Sequence, residues 1–276
     1  MNFLFFLYRT IKVSLRVNSL EIESAGLESD MPFVKLINGL TFYGQKSRKK
    51  ELKYYNILLK KKLKKKLPSA CFKLAKDIII RYYDGGLKLG GPKKEKLYKV
   101  KKDDIVVEMG AYMGHYSMYL SERIGGTGRL IAIEPMDDNL IYLKMNKEKN
   151  HLTNISIVEK GVWDKKESLT FSRSHNDTQS SSATFDHNNR VSFEIPVDSL
   201  DNIFKDQDVN HVDFMIIQLN GAELTALKGL QVIKPLNIAI AARYGDIQKE
   251  IINLLRKRGY AVTVENRVYI YASLLN

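Results

Sequence analysis

The chain has 276 residues, enough to bury a large core, and carries 44 Lys and Arg against 31 Asp and Glu, a formal charge of +13. The excess is concentrated: residues 46–66 hold eleven basic side chains and one acid, Glu51, so the remainder is close to neutral and forms no continuous nucleic-acid footprint. The single cysteine, Cys71, excludes an internal disulfide framework and gives no metal-site spacing, which points to a reducing compartment.

Residues 1–8 (MNFLFFLY) are strongly apolar, but a membrane span needs about 20 such residues and Arg9 ends the run. A secretion signal carries its basic residues before the apolar core, whereas Arg9, Lys12 and Arg16 follow it here. The segment is expected either to pack on the domain or to touch a membrane peripherally. Ile11, Val13, Leu15 and Val17 alternate with polar residues as in a strand. Residues 33–37 and 40–43 flank Asn38-Gly39, a hairpin signal suited to a type I′ turn. Leu52, Tyr55, Leu59, Leu63 and Leu67 then recur at helical spacing among lysines until Pro68, which predicts a basic helix. Two readings of that helix stand open: a solvated surface helix, or a docking face for an anionic membrane, RNA or an acidic acceptor. Few aromatics interleave it, so stacking on bases is not supported. A loop follows, marked by Gly85, Gly86, Gly90, Gly91 and Pro92. It divides an N-terminal extension, residues 1–100, from the main domain, residues 101–276.

From residue 101 strands and helices alternate. Strand 105–108 leads to helix 115–124, with Gly125, Gly126 and Gly128 as the return turn. Strand 130–134 leads to a helix from about Asp137, whose acids suit the N-terminal dipole. Strand 155–158 comes next, and strands 169–172 and 191–197 bracket a polar loop with His175, Ser180, Ser181 and Ser182. Strand 212–219, helix 222–230, strand 237–241 and helix 247–258 complete the core; Gly259 fits a left-handed cap, and 260–264 with 268–271 read as a closing β pair. The fold class is therefore α/β, a mostly parallel sheet with helices on both faces, preceded by a β-hairpin and the basic helix.

The informative stretch is 105–117, IVVEMGAYMGHYS: an apolar β-branched run ending in Glu108, then Gly110, Gly114 and a helix start. Gly110 permits a tight turn, and Gly114 lets the chain pass close to something lying on the turn. A dinucleotide fingerprint would need glycine at 112, where Tyr112 stands, and no Gly-Lys-Ser/Thr of a P-loop follows. Glu134 ends the second strand, where a carboxylate can either accept both hydroxyls of a ribose or cap the following helix; Pro135 keeps it on the crevice side, which favours the first. Gly161, Val162 and Trp163 follow the third strand, placed either to sandwich an adenine or to pack in the core. No His/Cys/carboxylate cluster has metal-ligand spacing and no Ser-His-Asp elbow occurs, so metal and acyl-enzyme chemistry are not expected.

E-x-G-x-x-x-G after a strand resembles the first motif of class I methyltransferases, whose seven-stranded Rossmann-like sheet ends in an antiparallel pair. Together with IAIEP (131–135), GVWD (161–164), DSLD (198–201) and VDFMIIQLNGAELTALKG (212–229), it makes residues 101–275 resemble an FkbM-type methyltransferase, with the 33–43 hairpin in keeping. The resemblance implies S-adenosyl-L-methionine (SAM) as cofactor and O-methylation of a hydroxyl on a carbohydrate or related small molecule. It assigns cofactor binding to Glu108, Gly110, Ala111, Tyr112, Gly114, Glu134, Gly161 and Val162, and acceptor-side positions to Gln218, Asn220 and Glu223. The family commonly has K-I-D-V-E-G-A-E after the fourth strand; here Ile216, Gln218 and Asn220 replace Lys, Asp and Glu, while Gly221, Ala222 and Glu223 match. Loss of activity and a changed acceptor both fit that substitution set. Glu223, Asp201, His115 and His175 are the candidates for a base. Two further functions stay open, an RNA methyltransferase using the basic helix as a phosphate-binding arm, and a non-catalytic interaction module. A cytoplasmic location, soluble or peripheral to the membrane, is expected.

Overall fold

The computed structural model describes residues 20–45, 67–68, 71–79, 94–174, 190–242, 245–265 and 268–275. The apolar start, the 11–17 alternation, the basic stretch 46–66, the glycine loop, His175 and the serines at 180–182 lie outside the described residues. Three strands open the fold: β1 (Ile22–Glu28), β2 (Met31–Leu36) and β3 (Thr41–Tyr43), paired antiparallel. The β2–β3 turn is not type I′. Only Gly39 of its central residues has positive φ (+92°), and Gly39 N–H donates to Leu36 O while Leu36 N–H donates to Leu40 O. Three loop residues with one left-handed glycine make a bulged turn, which needs no strain at Asn38. A short helix, α1 (Phe72–Ile78), packs its Leu74, Ala75 and Ile78 beneath this sheet.

The α/β unit runs β4 (Ile105–Met109), α2 (His115–Ile124), β5 (Arg129–Ile133), α3 (Asp137–Lys149), β6 (Ile155–Val158), β10 (Phe214–Ile217), α5 (Glu223–Lys228), β11 (Asn237–Ala241), α6 (Gly245–Lys257), β12 (Tyr260–Glu265) and β13 (Tyr269–Leu274). Between β6 and β10 lie β7 (Gly161–Trp163), β8 (Glu167–Ser174), β9 (Arg190–Ser199) and α4 (Leu200–Asp206). The large sheet has the order β12-β13-β11-β10-β4-β5-β6, parallel except where β13 pairs with its two neighbours. Its central strands are apolar, apart from Glu108 in β4, because both faces are covered. Val107, Met109, Ile131, Ile133, Met215 and Ile217 meet α4, α5 and α6 on one face. Val106, Leu130, Ala132, Phe214 and Ile216 meet α2 and α3 on the other.

Several elements differ from expectation: β1 and α1 were not expected, and the strand expected over 212–219 is confined to Phe214–Ile217. Gly161–Trp163 is itself a strand, parallel to β9, and with the β8–β9 hairpin forms a separate three-stranded sheet. The helix expected over 222–230 ends at Lys228, where Gly229 presses its backbone so close to Trp163 O that a Cβ would lie 2.4 Å away. Among the described residues no helix is long and apolar enough to cross a membrane.

Candidate functional site

From the central strand β4 the chain winds outward through β5 and β6, then returns to build β10 and β11 on β4's other side. Such a reversal opens a crevice outside the carboxyl ends of the two strands. Both loops there use left-handed backbone: Gly110 (φ +79°), Tyr112 (φ +56°) and Gly114 (φ +79°) after β4, Asn220 (φ +52°) and Gly221 (φ +112°) after β10. The loops touch, since a Cβ on Gly110 would stand 2.3 Å from Gln218 O. The close neighbour of Gly114 is Leu143 of α3, whose Cδ1 would lie 2.5 Å from an added Cβ. Tyr112, the residue that breaks the dinucleotide pattern, still adopts the conformation that glycine favours. Its ring meets His115 edge-on at 6.3 Å, and Ala111 is buried beside it.

That left-handed turn aims the Tyr112 amide at Glu134. Glu134 Oε2 accepts Tyr112 N–H at 2.8 Å, and Oε1 accepts Met136 N–H at 3.1 Å and the Asn139 side-chain amide at 3.0 Å. The acid is 4% exposed and bridges the turn after β4 to the start of α3. A carboxylate accepts only, so the Asn139 atom facing it is Nδ2. The remaining amide atom, Asn139 Oδ1, is buried without a hydrogen-bond partner among the described residues. Leaving such an acceptor unsatisfied costs about 1–3 kcal/mol.

Glu108 turns to the α2 side. Ser117 Oγ donates to its Oε2 at 2.6 Å and Lys94 Nζ to its Oε1 at 3.3 Å, all three side chains buried. Lys94 also lies over the Tyr116 ring, 4.1 Å from its centre, and Tyr116 O–H donates to Glu95 at 3.1 Å. Burial first, then the charges of Glu95 and Glu108, push the Tyr116 phenol well above its ordinary value.

The other candidates are spread more widely. Val162 belongs to the core with Met109, Ile133 and Val158; a Cβ on Gly161 would meet Val197 at 2.8 Å; and Trp163 packs on Met136, Ile195 and Val197. Gln218 and Asn220 are half-buried at the end of β10. Glu223 is buried and ties down that loop, Oε1 accepting Leu219 N–H at 3.2 Å and Oε2 Gly221 N–H at 2.9 Å. Asp201 accepts the Gln231 and Val232 amides at 2.8 and 3.1 Å. Both carboxylates are thus engaged by backbone amides. His115 is buried in contact with β3, its Nε2 3.3 Å from Tyr43 O. Among the described residues no group of three His, Cys, Asp or Glu could hold a metal ion. The sole thiol, Cys71, is buried, which pushes it up.

Sequence reasoning missed Lys94, Ser117, Asn139 and Asn146. A signal existed for the asparagines: Asn139, Asn146 and Asn150 recur on one face of α3, an odd polar stripe on a helix that buries Leu140 and Leu143. Lys94 gave no signal among Lys93, Lys96 and Lys99.

Among curated proteins none matches the chain. Of solved structures it is similar to the methyltransferase FkbM from Methylobacillus flagellatus KT, at 20% identity and TM-score 0.49 over 71% of this chain and 47% of that one. The chain thus spans about half the length of that protein. It is also similar to a SAM-dependent methyltransferase from Aquifex aeolicus, at 19% identity and TM-score 0.42 over 76% and 100% of the two chains. A third likeness is to Aeropyrum pernix fibrillarin, solved with natively bound SAM, at 11% identity and TM-score 0.44 over 93% and 100%. The model of the methyltransferase FkbM domain matches residues 108–262, from the acid of the first turn to the closing β pair. With more than half of its length matched, and with the seven-stranded order of its sheet, the chain belongs to the FkbM methyltransferase family.

Proposed function

We propose that the protein transfers the methyl group of SAM to a hydroxyl oxygen of a carbohydrate or related small molecule. The observation that carries the cofactor assignment is the pairing of Glu134 with Asn139 Oδ1, which has no donor among the described residues. A ribose brings two O–H donors, which such a pair of acceptors suits. SAM supplies the electrophilic methyl on its sulfonium. The chain's own part is to hold and orient. Glu134, fixed by three N–H donors, grips the sugar; Gly110 brings the turn after β4 against Gln218 of the acceptor loop. Gln218 and Asn220 bring neutral amides where the family commonly carries acids, which favours a neutral hydroxyl compound over a charged acceptor. Asparagine also tolerates φ > 0 better than glutamate, so Asn220 suits the left-handed backbone at its position.

Calorimetric titration with S-adenosylhomocysteine, the product form of the cofactor, tests the first half. Wild type should bind, and Glu134→Ala should weaken binding by about 10- to 100-fold, the loss of a charged hydrogen bond. Equal affinities would remove the ribose assignment. Labelled methyl transfer into fractionated cell extract tests the second half. Label is expected in glycan or small-molecule fractions, and label released by ribonuclease would replace the acceptor class with RNA.

A further inference from the structure

Tyr43, the last residue of β3, stands opposite Phe33 of β2 in the register, but its own N–H and C=O face the other way, where side chains of α3 stand in place of a fourth strand. Asn146 Oδ1 accepts Tyr43 N–H at 2.7 Å and its Nδ2 donates to Tyr43 O at 3.2 Å. Asn150 repeats the exchange at Thr41, 2.7 Å in both directions. The match is geometric. Four helical residues rise about 6 Å, and alternate strand residues are about 6.6 Å apart, so two amides at i and i+4 meet residues 41 and 43.

The two clamps differ in where the remaining N–H goes. Asn150 spends it on its own helix, donating to Asn146 O at 2.7 Å. Asn146 spends it on Met113 O, also at 2.7 Å. Met113 lies in the Gly110–Gly114 turn directly after Tyr112, whose amide holds Glu134. His115, the first residue of α2 directly after that turn, adds a contact to β3, its Nε2 lying 3.3 Å from Tyr43 O. Asn146 is fully buried and makes three hydrogen bonds, so each carries the cost of an unsatisfied group if it is removed. The strand it holds lies outside the residues matched by the family model, which begin at 108.

We infer that Asn146 is a positioning residue for the cofactor: it fastens β3 to the Met113 carbonyl and so fixes the turn that aims the Tyr112 amide at Glu134. The β1–β3 sheet thereby becomes a working part of the methyl-donor site. This rests on the proposed reading of that turn as cofactor-binding. The test compares Asn146→Ser with Asn150→Ser in the full chain, reading melting temperature and the S-adenosylhomocysteine dissociation constant. Both variants lose bonds to β3 and should melt lower. Only Asn146→Ser should bind weaker, by tenfold or more, while Asn150→Ser stays within twofold of wild type. Should Asn146→Ser not fold, His115→Leu, which keeps the packing between Phe42 and Tyr112, takes its place with an expected loss of threefold or more. Equal affinity changes at 146 and 150, or at 115 and 150, overturn the inference while leaving the function standing. A wild type that binds no S-adenosylhomocysteine removes both.

Discussion

At Gly110 a side chain is excluded twice over. Its φ of +79° is strained for any residue with a Cβ, and that Cβ would stand 2.3 Å from the Gln218 carbonyl, in the backbone of the neighbouring strand's loop. The left-handed conformation alone costs roughly 1–2 kcal/mol, and the clash must force the two loops apart. Gly110→Ala should therefore abolish measurable S-adenosylhomocysteine binding and lower the melting temperature; a variant that binds like wild type would show that the loops need not touch. Tyr112 teaches the converse. In the sequence it breaks the dinucleotide pattern and enters the cofactor set only through the family resemblance, because a pattern of residue types cannot show that an aromatic residue has accepted φ +56°. What holds it there is tertiary: the amide on Glu134 and the ring against His115. The acids were legible at Glu108 and Glu134 by their place after a strand, but their partners were not. Lys94 and Asn139 reach them from segments distant in sequence or from the far side of a helix turn.

At the scale of elements, what the sequence reveals follows its hydrophobic period. The strands β4, β5, β6 and β11 are mostly apolar and were legible to within a residue, as was α2. β7 was not, for three residues carry no period, and its strand character comes from pairing with β9. The junction of β9 with α4 carries the motif acid Asp198, almost fully buried. Burial would raise its pKa, but the Asn202 amide at 2.8 Å, Lys160 at 3.0 Å and the Ser199 N–H at 2.9 Å outweigh that, and the net shift is downward. A carboxylate held below its unfolded value stabilises the fold above the ordinary Asp range and loses that contribution as pH falls through the folded value. Asp198→Asn should thus lower stability at neutral pH and narrow the gap from wild type below about pH 4. Urea midpoints measured from pH 7 to pH 3 check this, and a gap that stays constant with pH would assign the loss to packing instead.

For the whole molecule, composition and alternation disclosed the layered α/β plan but not how the N-terminal strands join it. Their core is shared: Val34, Leu36, Phe42, Cys71, Leu74 and Ile78 pack in one buried cluster with Met118 of α2, while Asn146 and Asn150 supply the polar seam. A sheet joined through buried apolar contacts and buried amides should not melt alone. Phe42 is fully buried at the centre of this junction, and Phe42→Ala should cost about 3–5 kcal/mol, a large share of the roughly 5–15 kcal/mol that holds a domain folded. The only tryptophan, Trp163, reports from β7, in a different sheet. If the molecule unfolds as one unit, the Phe42→Ala change must pull the Trp163 fluorescence midpoint in urea down together with the far-ultraviolet dichroism. A fluorescence transition that keeps its wild-type midpoint while part of the dichroism is lost early would mean that β1–β3 unfold separately, and the proposed coupling between that sheet and the Gly110–Gly114 turn would lose its physical basis.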